Sequence, residues 1–292
     1  MAKIGFIGLG NMGLPMALNL QKAGHDVTGH DIFPAAVEAA TSAGLRVDAA
    51  GAVHDADIII TMLPNGKLVL DAYQIILAKA KPGTLLIDSS TIDVASARTA
   101  HEQAAAAAML SADAPVSGGV GGAAAGTLTF MVGGTNDIFA QAQPVLAAMG
   151  KKIVHCGGAG AGQAAKICNN MILGISMVAV GEAFVLAEKL GLSHQALYDV
   201  ASTSSGQCWS LTSYCPVPGP VPASPANNDY KPGFAAALML KDLKLSQEAA
   251  SAAGASTALG SHATEIFQEF VSEGHGGTDF SGIINKIREK TA

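Results

Sequence analysis

The sequence predicts an α/β fold in two parts: a mostly parallel sheet interleaved with helices, followed by an all-α domain that begins with a long linking helix. Three observations carry this. Short apolar runs alternate with helical stretches through residues 1–162, Gln163 to Lys189 contains no Pro and is apolar on nearly every face, and no strand pattern recurs beyond it. Strands alternating with long helices imply crossover units and a parallel sheet. The expected division is 1–162 and 163–292, in line with the length of ordinary domains.

The elements follow in order. Ile4 to Gly8 reads as a buried strand, Asn11 to Ala23 as a helix closed by Gly24, Val27 to Asp31 as a strand and Pro34 to Ala43 as a helix. Ala56 to Met62, with three successive isoleucines, suits a central strand covered on both faces. Thr84 to Asp88 repeats the pattern before a helix over Asp93 to Ala108, and short strands fit Leu110–Ala112, Leu128–Val132 and Lys152–His155. The apolar segment to Lys189 would make a helix about 40 Å long, and a helix apolar all round is expected to be covered by other helices or by a second subunit. Ser193–Ser202, Ala235–Ala253 and Thr257–Ser272 complete the helices, with Ser193 and Thr257 as candidate N-caps. Pro216 to Pro232, rich in Pro, Asn and Gly, reads as a long ordered loop or a lid.

With 49% hydrophobic residues, 14% charged residues and a net charge of −6, the chain can build a large core and lacks the basic footprint of a nucleic-acid binder. Its four cysteines lack metal-ligand spacing, so reduced thiols and no metal are expected. The first strand begins at Lys3, and the longest apolar stretch, Met171 to Gly181, is closed by Glu182. That is short for a bilayer span, so a cytoplasmic protein with no membrane partner is expected.

Gly8-Leu9-Gly10-Asn11-Met12-Gly13 follows the first strand and opens the first helix. Gly8 permits the turn, Gly10 lets backbone approach a pyrophosphate, and Gly13 lets helix and strand pack closely. The fold class is then an N-terminal Rossmann-type dinucleotide-binding domain followed by an all-α domain. Asp31 ends the second strand, where an acid accepts hydrogen bonds from a ribose diol; capping the following helix is the alternative. No Arg or Lys lies nearby, which favours NAD over NADP. Leu63-Pro64-Asn65 and Ser90-Thr91 end the next two long strands on the ligand-binding edge, or are ordinary turns.

Asp113-Ala114-Pro115-Val116-Ser117-Gly118-Gly119-Val120-Gly121-Gly122 leaves a strand with small residues in a row. It is either an anion nest for a substrate carboxylate or a flexible loop. Lys166 lies in the first turn of the long helix, with Asn170 one turn later. A lysine at a crowded junction loses solvation, which favours the neutral form that a general base needs; a snorkelling surface lysine is the alternative. Lys241-Asp242 interrupts an apolar helix, as a salt bridge or as a reach toward the cofactor, and Trp209 and Tyr214 wall a pocket or pack in the core.

Together these motifs resemble the β-hydroxyacid dehydrogenase family. The likeness runs from Phe6–Gly13 through Asp88-Ser89-Ser90-Thr91-Ile92, Asp113–Gly119, Gly160–Asn170, Lys241-Asp242-Leu243 and Asp279-Phe280-Ser281. Ser205-Gly206-Gln207-Cys208-Trp209-Ser210 with Pro216-Val217-Pro218-Gly219 resembles its 3-hydroxyisobutyrate branch. The resemblance implies NAD-dependent oxidation of 3-hydroxyisobutyrate to methylmalonate semialdehyde in valine catabolism. L-Serine, tartronate semialdehyde and 4-hydroxybutyrate are the alternative substrates, and a non-catalytic dinucleotide-binding module is a more distant one. It also implies Lys166 as the catalytic lysine with Asn170 as its partner, and Ser117, Gly118 and Gly119 as the carboxylate loop. Thr91, Leu63, Pro64 and Lys241 become dinucleotide contacts, Trp209, Tyr214 and Asp242 pocket positions, and the protein a homo-oligomer, dimer or tetramer.

Overall fold

In the computed structural model, which describes residues 1–289, the chain forms two compact units, one ending at Lys166 and the other starting at Ile167. The first opens with β1 (Lys3–Ile7), α1 (Gly13–Lys22), β2 (Asp26–His30), α2 (Pro34–Ser42), β3 (Arg46–Val47), α3 (Gly51–His54) and β4 (Ile58–Thr61). It continues with α4 (Gly66–Leu77), β5 (Leu85–Asp88), α5 (Val94–Ala106), β6 (Leu110–Asp113), β7 (Val116–Ser117), α6 (Gly119–Ala125), β8 (Leu128–Gly133), α7 (Asn136–Leu146) and β9 (Gly150–Gly157).

The strands join in one sheet of order β3-β2-β1-β4-β5-β6-β8-β7, with β9 beside β8. From β3 to β6 every pairing is parallel. The expected parallel character stops at β8, which runs antiparallel to both β6 and β7. Between β7 and β8 there is only the short α6, and an antiparallel return needs no long crossover. The reversal of strand order falls between β1 and β4, the position at which such sheets bind ligands beyond their carboxyl ends.

The three isoleucines of β4 divide between the two faces by the period of two. Ile58 and Ile60 join Phe6, Met16, Leu20, Ile87 and Phe130 on one side, and Ile59 joins Ile7, Val69, Tyr73 and Leu86 on the other. Both faces are therefore covered, which is why the strand reads as an unbroken apolar run.

The long helix α8 (Ala161–Lys189) starts in the first unit and continues into the second. It is long and apolar enough, by length and composition, to cross a membrane, and half of its most apolar window is buried inside the protein. The Met171–Gly181 stretch alone had suggested too short a span. The helix outruns it because the polar residues at either end, such as Asn170 and Glu182, continue the same α-helix.

The second unit adds α9 (His194–Ala201), α10 (Trp209–Thr212), α11 (Ala236–Ala253), α12 (Ala258–Ser272) and α13 (Ile283–Glu289). Its core gathers Met177, Met239, Phe267, Phe270 and Phe280, with a second cluster of Val180, Phe184, Leu211, Cys215 and Ile284. Ser193 caps α9, its Oγ accepting from the Ala196 N–H at 3.2 Å. Thr257 differs: it stands at the N-cap of α12 but makes no side-chain cap, because its hydroxyl bonds Gln247 at 3.0 Å. Residues 216–232 form an ordered loop with a 3-10 turn at Pro225–Asn228. Asn227 accepts from the Gly219 N–H and donates to Val221 O, and the Tyr230 hydroxyl donates to Pro216 O.

Candidate active site

The glycine turn after β1 is shaped by close approach. Gly8 has φ +95°, and a Cβ on Gly13 would stand 1.8 Å from Gly8 O. A Cβ on Gly10 would meet no protein atom. Among the described residues, the N–H groups of Gly10, Asn11 and Met12 have no backbone or side-chain acceptor. Orphan donors at the head of an α-helix fit a pyrophosphate, so these residues suit a dinucleotide.

Asp31 fastens this turn to the end of β2. Its Oδ2 accepts from the Leu9 N–H at 2.7 Å and its Oδ1 from the Phe33 N–H at 2.8 Å. The helix-cap alternative is not what forms, since Phe33 occupies the N-cap of α2. A carboxylate has about four lone-pair sites, which leaves capacity for ribose hydroxyls. The basic residue on the adjacent β3, Arg46, is engaged with Asp26 at 3.0 Å and with Thr28.

Beyond β4 and β5 the two loops are stitched by Asp88. Its Oδ1 accepts from Thr61 Oγ1 at 2.7 Å and from Ser90 Oγ at 2.6 Å, while Ser90 Oγ accepts from the Leu63 N–H at 2.8 Å. Asn65 caps α4 by accepting from the Leu68 N–H at 3.0 Å, so its side chain serves the turn. Asp88 was legible only as part of a motif, and its knitting role was missed.

Burial pushes the Asp88 carboxyl up to about 6, against the downward pull of the hydrogen bonds from Ser90 and Thr61. The folded protein therefore keeps this proton after the unfolded chain has released its own. The associated stability is present below pH of about 4 and is lost as the pH rises through about 6. Asp88→Asn keeps the Oδ1 acceptor and removes the charge. Relative to the parent, its unfolding free energy should gain about 3 kcal/mol between pH of about 4 and about 7. Urea titrations at each pH read this, and a difference that stays constant with pH contradicts it.

Asp113 ties the end of β6 to the start of α8. Its Oδ1 accepts from the Gly160 N–H at 2.8 Å and contacts His101 Nε2 at 2.9 Å, and its Oδ2 accepts from the Gln163 N–H at 2.9 Å. The backbones meet closely here: a Cβ on Gly162 would lie 2.3 Å from Met131 O. Gln163, fully buried, donates to Ser90 O at 2.7 Å and accepts from the Ile92 N–H at 3.1 Å. Lys166 follows on the same helix and is itself buried, at 7% exposure. Ser117 ends β7, and Gly118 and Gly119 both hold positive φ.

In the second unit Asn170 is buried, its amide donating to Asp242 Oδ2 and accepting from Asn169 at 2.9 Å. Asp242, read from sequence as a pocket residue, is thus the anchor of Asn170. Lys241 Nζ stands 4.0 Å from the same carboxylate. Trp209, half exposed, stacks on Tyr214 with centroids 4.9 Å apart, and Tyr214 stacks on Phe280 at 5.3 Å. The Tyr214 hydroxyl donates to Asp279 Oδ2 at 2.9 Å, and burial pushes its pKa up, with the Asp279 charge adding to the rise.

Residues 3–158 match the family described as the NAD binding domain of 6-phosphogluconate dehydrogenase, and residues 160–287 the one described as NAD-binding of NADP-dependent 3-hydroxyisobutyrate dehydrogenase. The chain is 55% identical to a probable 3-hydroxyisobutyrate dehydrogenase of Mycobacterium tuberculosis, over 99% of each chain. It is 46% identical to the mitochondrial 3-hydroxyisobutyrate dehydrogenase of Homo sapiens, over 98% of this chain and 87% of that one. A solved structure of the M. tuberculosis 3-hydroxyisobutyrate dehydrogenase with L-serine superposes with a TM-score of 0.95 at 55% identity, covering 99% of both chains. With an NAD(P)-binding domain and relatives that share its whole length, the chain belongs to the 3-hydroxyisobutyrate dehydrogenase family, within the β-hydroxyacid dehydrogenases, as an oxidoreductase acting on a hydroxyl group.

Proposed function

We propose that this protein oxidises 3-hydroxyisobutyrate to methylmalonate semialdehyde with NAD, Lys166 serving as general base and, in reverse, as general acid. The observation that carries this reading is the setting of Lys166, a buried amine one turn beyond Gln163, which is bonded both to Asp113 at the end of β6 and to the Ser90–Ile92 loop. The substrate carboxylate docks on Ser117 and the backbone of Gly118 and Gly119. Neutral Lys166 takes the hydroxyl proton and becomes an ammonium, and the C–O bond becomes a carbonyl as the carbinol carbon releases its hydride. The dinucleotide, when bound, supplies the hydride acceptor. Running backward, the ammonium returns its proton to the carbonyl oxygen. Asn170, held by Asp242, orients the amine or the alcohol oxygen.

Gly8 to Gly13, Asp31, Leu63, Pro64, Asn65, Thr91 and Lys241 make up the dinucleotide side of this reading, and Trp209, backed by Tyr214, the aromatic part of the pocket. In this reading the substrate belongs to valine breakdown, with the cytoplasm as the compartment. Ile172 and Leu186, exposed along α8, and Leu190 just past its end support a homo-oligomer, a dimer or a tetramer.

L-Serine is a second reading, favoured by the serine in the solved M. tuberculosis relative. Specificity constants for 3-hydroxyisobutyrate, L-serine, 4-hydroxybutyrate and tartronate semialdehyde, each with both dinucleotides, test the choice. The first acid with NAD should rank highest, and a higher value for serine replaces the reading.

Preference for NAD rests on Asp31, whose carboxylate repels a 2′-phosphate. Asp31→Ser combined with Ile32→Arg should move the NAD-to-NADP ratio of kcat/KM by about 10²-fold toward NADP, through relieved repulsion and a new Arg–phosphate pair. An unchanged ratio would leave Asp31 as a brace for Leu9 and Phe33 alone.

A further inference from the structure

Gln163 has an arrangement that core packing does not call for. Its side chain is fully buried, and its single amide bonds two backbone groups of one short loop, Ser90 O at 2.7 Å and the Ile92 N–H at 3.1 Å. The donor end faces a carbonyl and the acceptor end an N–H, so the partners fix the amide's orientation. Thr91 lies between the two gripped groups. On the other side, Asp88 holds Ser90 through its hydroxyl and, through Ser90, the Leu63 N–H. The backbone of Gln163 is itself fixed by Asp113, and Lys166 stands three residues on, on the adjoining part of the same helix face.

We propose that Gln163 is a positioning residue that sets the separation between the loop centred on Thr91 and the amine of Lys166. This rests on the reading of Lys166 as the proton acceptor and of the Thr91 loop as a dinucleotide contact. Hydride and proton leave adjacent atoms of one alcohol, so both acceptors must be held at fixed spacing. The Gln163 amide is a direct side-chain link between the two elements: one end of the link is the backbone that flanks Thr91, the other the first turn of the Lys166 helix. A hydrophobic residue of similar volume would fill the space but leave Ser90 O and the Ile92 N–H buried and unmet. The loop would then move to find other partners.

Two variants separate positioning from packing. Gln163→Leu should lower kcat by about 10²-fold, the scale of a misplacement near 1 Å, with KM for the hydroxy acid changed by less than about threefold. Its primary deuterium isotope effect should rise as hydride transfer becomes slower than product release. Amide exchange at Ile92 should accelerate in the cofactor-free protein, a readout that needs no turnover. Gln163→Glu is the decisive partner. Protonated, it reproduces both bonds; ionised, it repels Ser90 O. In the reductive direction, its rate relative to the parent at the same pH should therefore recover by at least about tenfold as the pH falls from about 8 to about 6.

A Leu variant with parental kcat and isotope effect overturns the proposal, as does unchanged Ile92 exchange. If the Leu variant does not fold, the Glu variant decides: a deficit that is the same at every pH overturns it, and recovery at low pH supports it. Failure of the Lys166 reading is seen separately. Lys166→Ala would then keep its turnover, while Ile92 exchange would still respond to Gln163→Leu.

Discussion

Lys166→Ala should lower kcat/KM by about 10²–10⁴-fold, the range that a positioned general acid–base contributes. Dinucleotide affinity should stay within about twofold, because the bonding partners that shape the Gly8–Gly13 turn are Asp31, the His30 carbonyl and its own backbone. The experiment is a pair of measurements on one variant: turnover of 3-hydroxyisobutyrate, and NADH binding followed by nucleotide fluorescence. Small primary amines in the buffer should restore part of the rate, since the helix around residue 166 keeps its anchors at Asp113 and Gln163. Near-parental turnover would remove the lysine from the chemistry. Loss of dinucleotide binding in step with turnover would mean that the amine holds the cofactor and does not move the proton.

Asp279→Ala is expected to have the largest effect on stability. The carboxylate is fully buried and accepts five hydrogen bonds: from Tyr214 Oη, the Gly233 and Phe234 N–H groups, and the N–H and Oγ of Ser281. It joins the end of the 216–232 loop to the turn before α13, through the same region in which Ala235 and Asp279 form an isolated bridge. Alanine would leave these donors facing an apolar void, and since each buried donor left unmet costs about 1–3 kcal/mol, a loss of about 3 kcal/mol or more is expected. Urea unfolding measures the loss; a change below about 1 kcal/mol would show that water or neighbouring groups replace the carboxylate. Asp279→Asn retains the Oδ1 acceptor and should recover part of the difference.

The fold was legible where one residue type repeats with a clear period. Three isoleucines across both faces marked β4, and the glycine turn marked the β1–α1 junction. Elements that lack such a signal went unread. β3 is two residues long and α3 is four; α7 carries Pro144 inside its last turn, which from sequence argues against a helix. Amphipathic α4 starts at a cap, Asn65, that had been read for its place beside the cofactor. The reversal at β8 was also unread, because strand direction depends on how the chain returns and not on the composition of the strand.

For the candidate site, sequence supplied the residues and missed the bonds between them. Asp113 and Gln163 are 50 positions apart, and Thr61 and Asp88 are 27 apart. Strand register brings Thr61 beside Asp88 and Asp88 beside Asp113, the entry of α8 brings Gln163 to Asp113, and neither is written in local composition. A buried acid at the last position of a strand, as at Asp88 and Asp113, is the signal that could have found them. Asp242 and Tyr214 show the same limit from the other side. Both were named for the pocket, and each has its polar end committed to a protein partner, Asn170 and Asp279.

The stacking of Trp209 on Tyr214 has a practical corollary for spectroscopy. The chain has one tryptophan, and it lies in the unit that begins at Ile167. Indole emission is therefore a single-site reporter whose signal is blind to the sheet, whereas far-ultraviolet dichroism sums over the whole polypeptide. Non-coincident melting curves from the two probes would register the halves losing order separately, and one shared curve would register a cooperative unit.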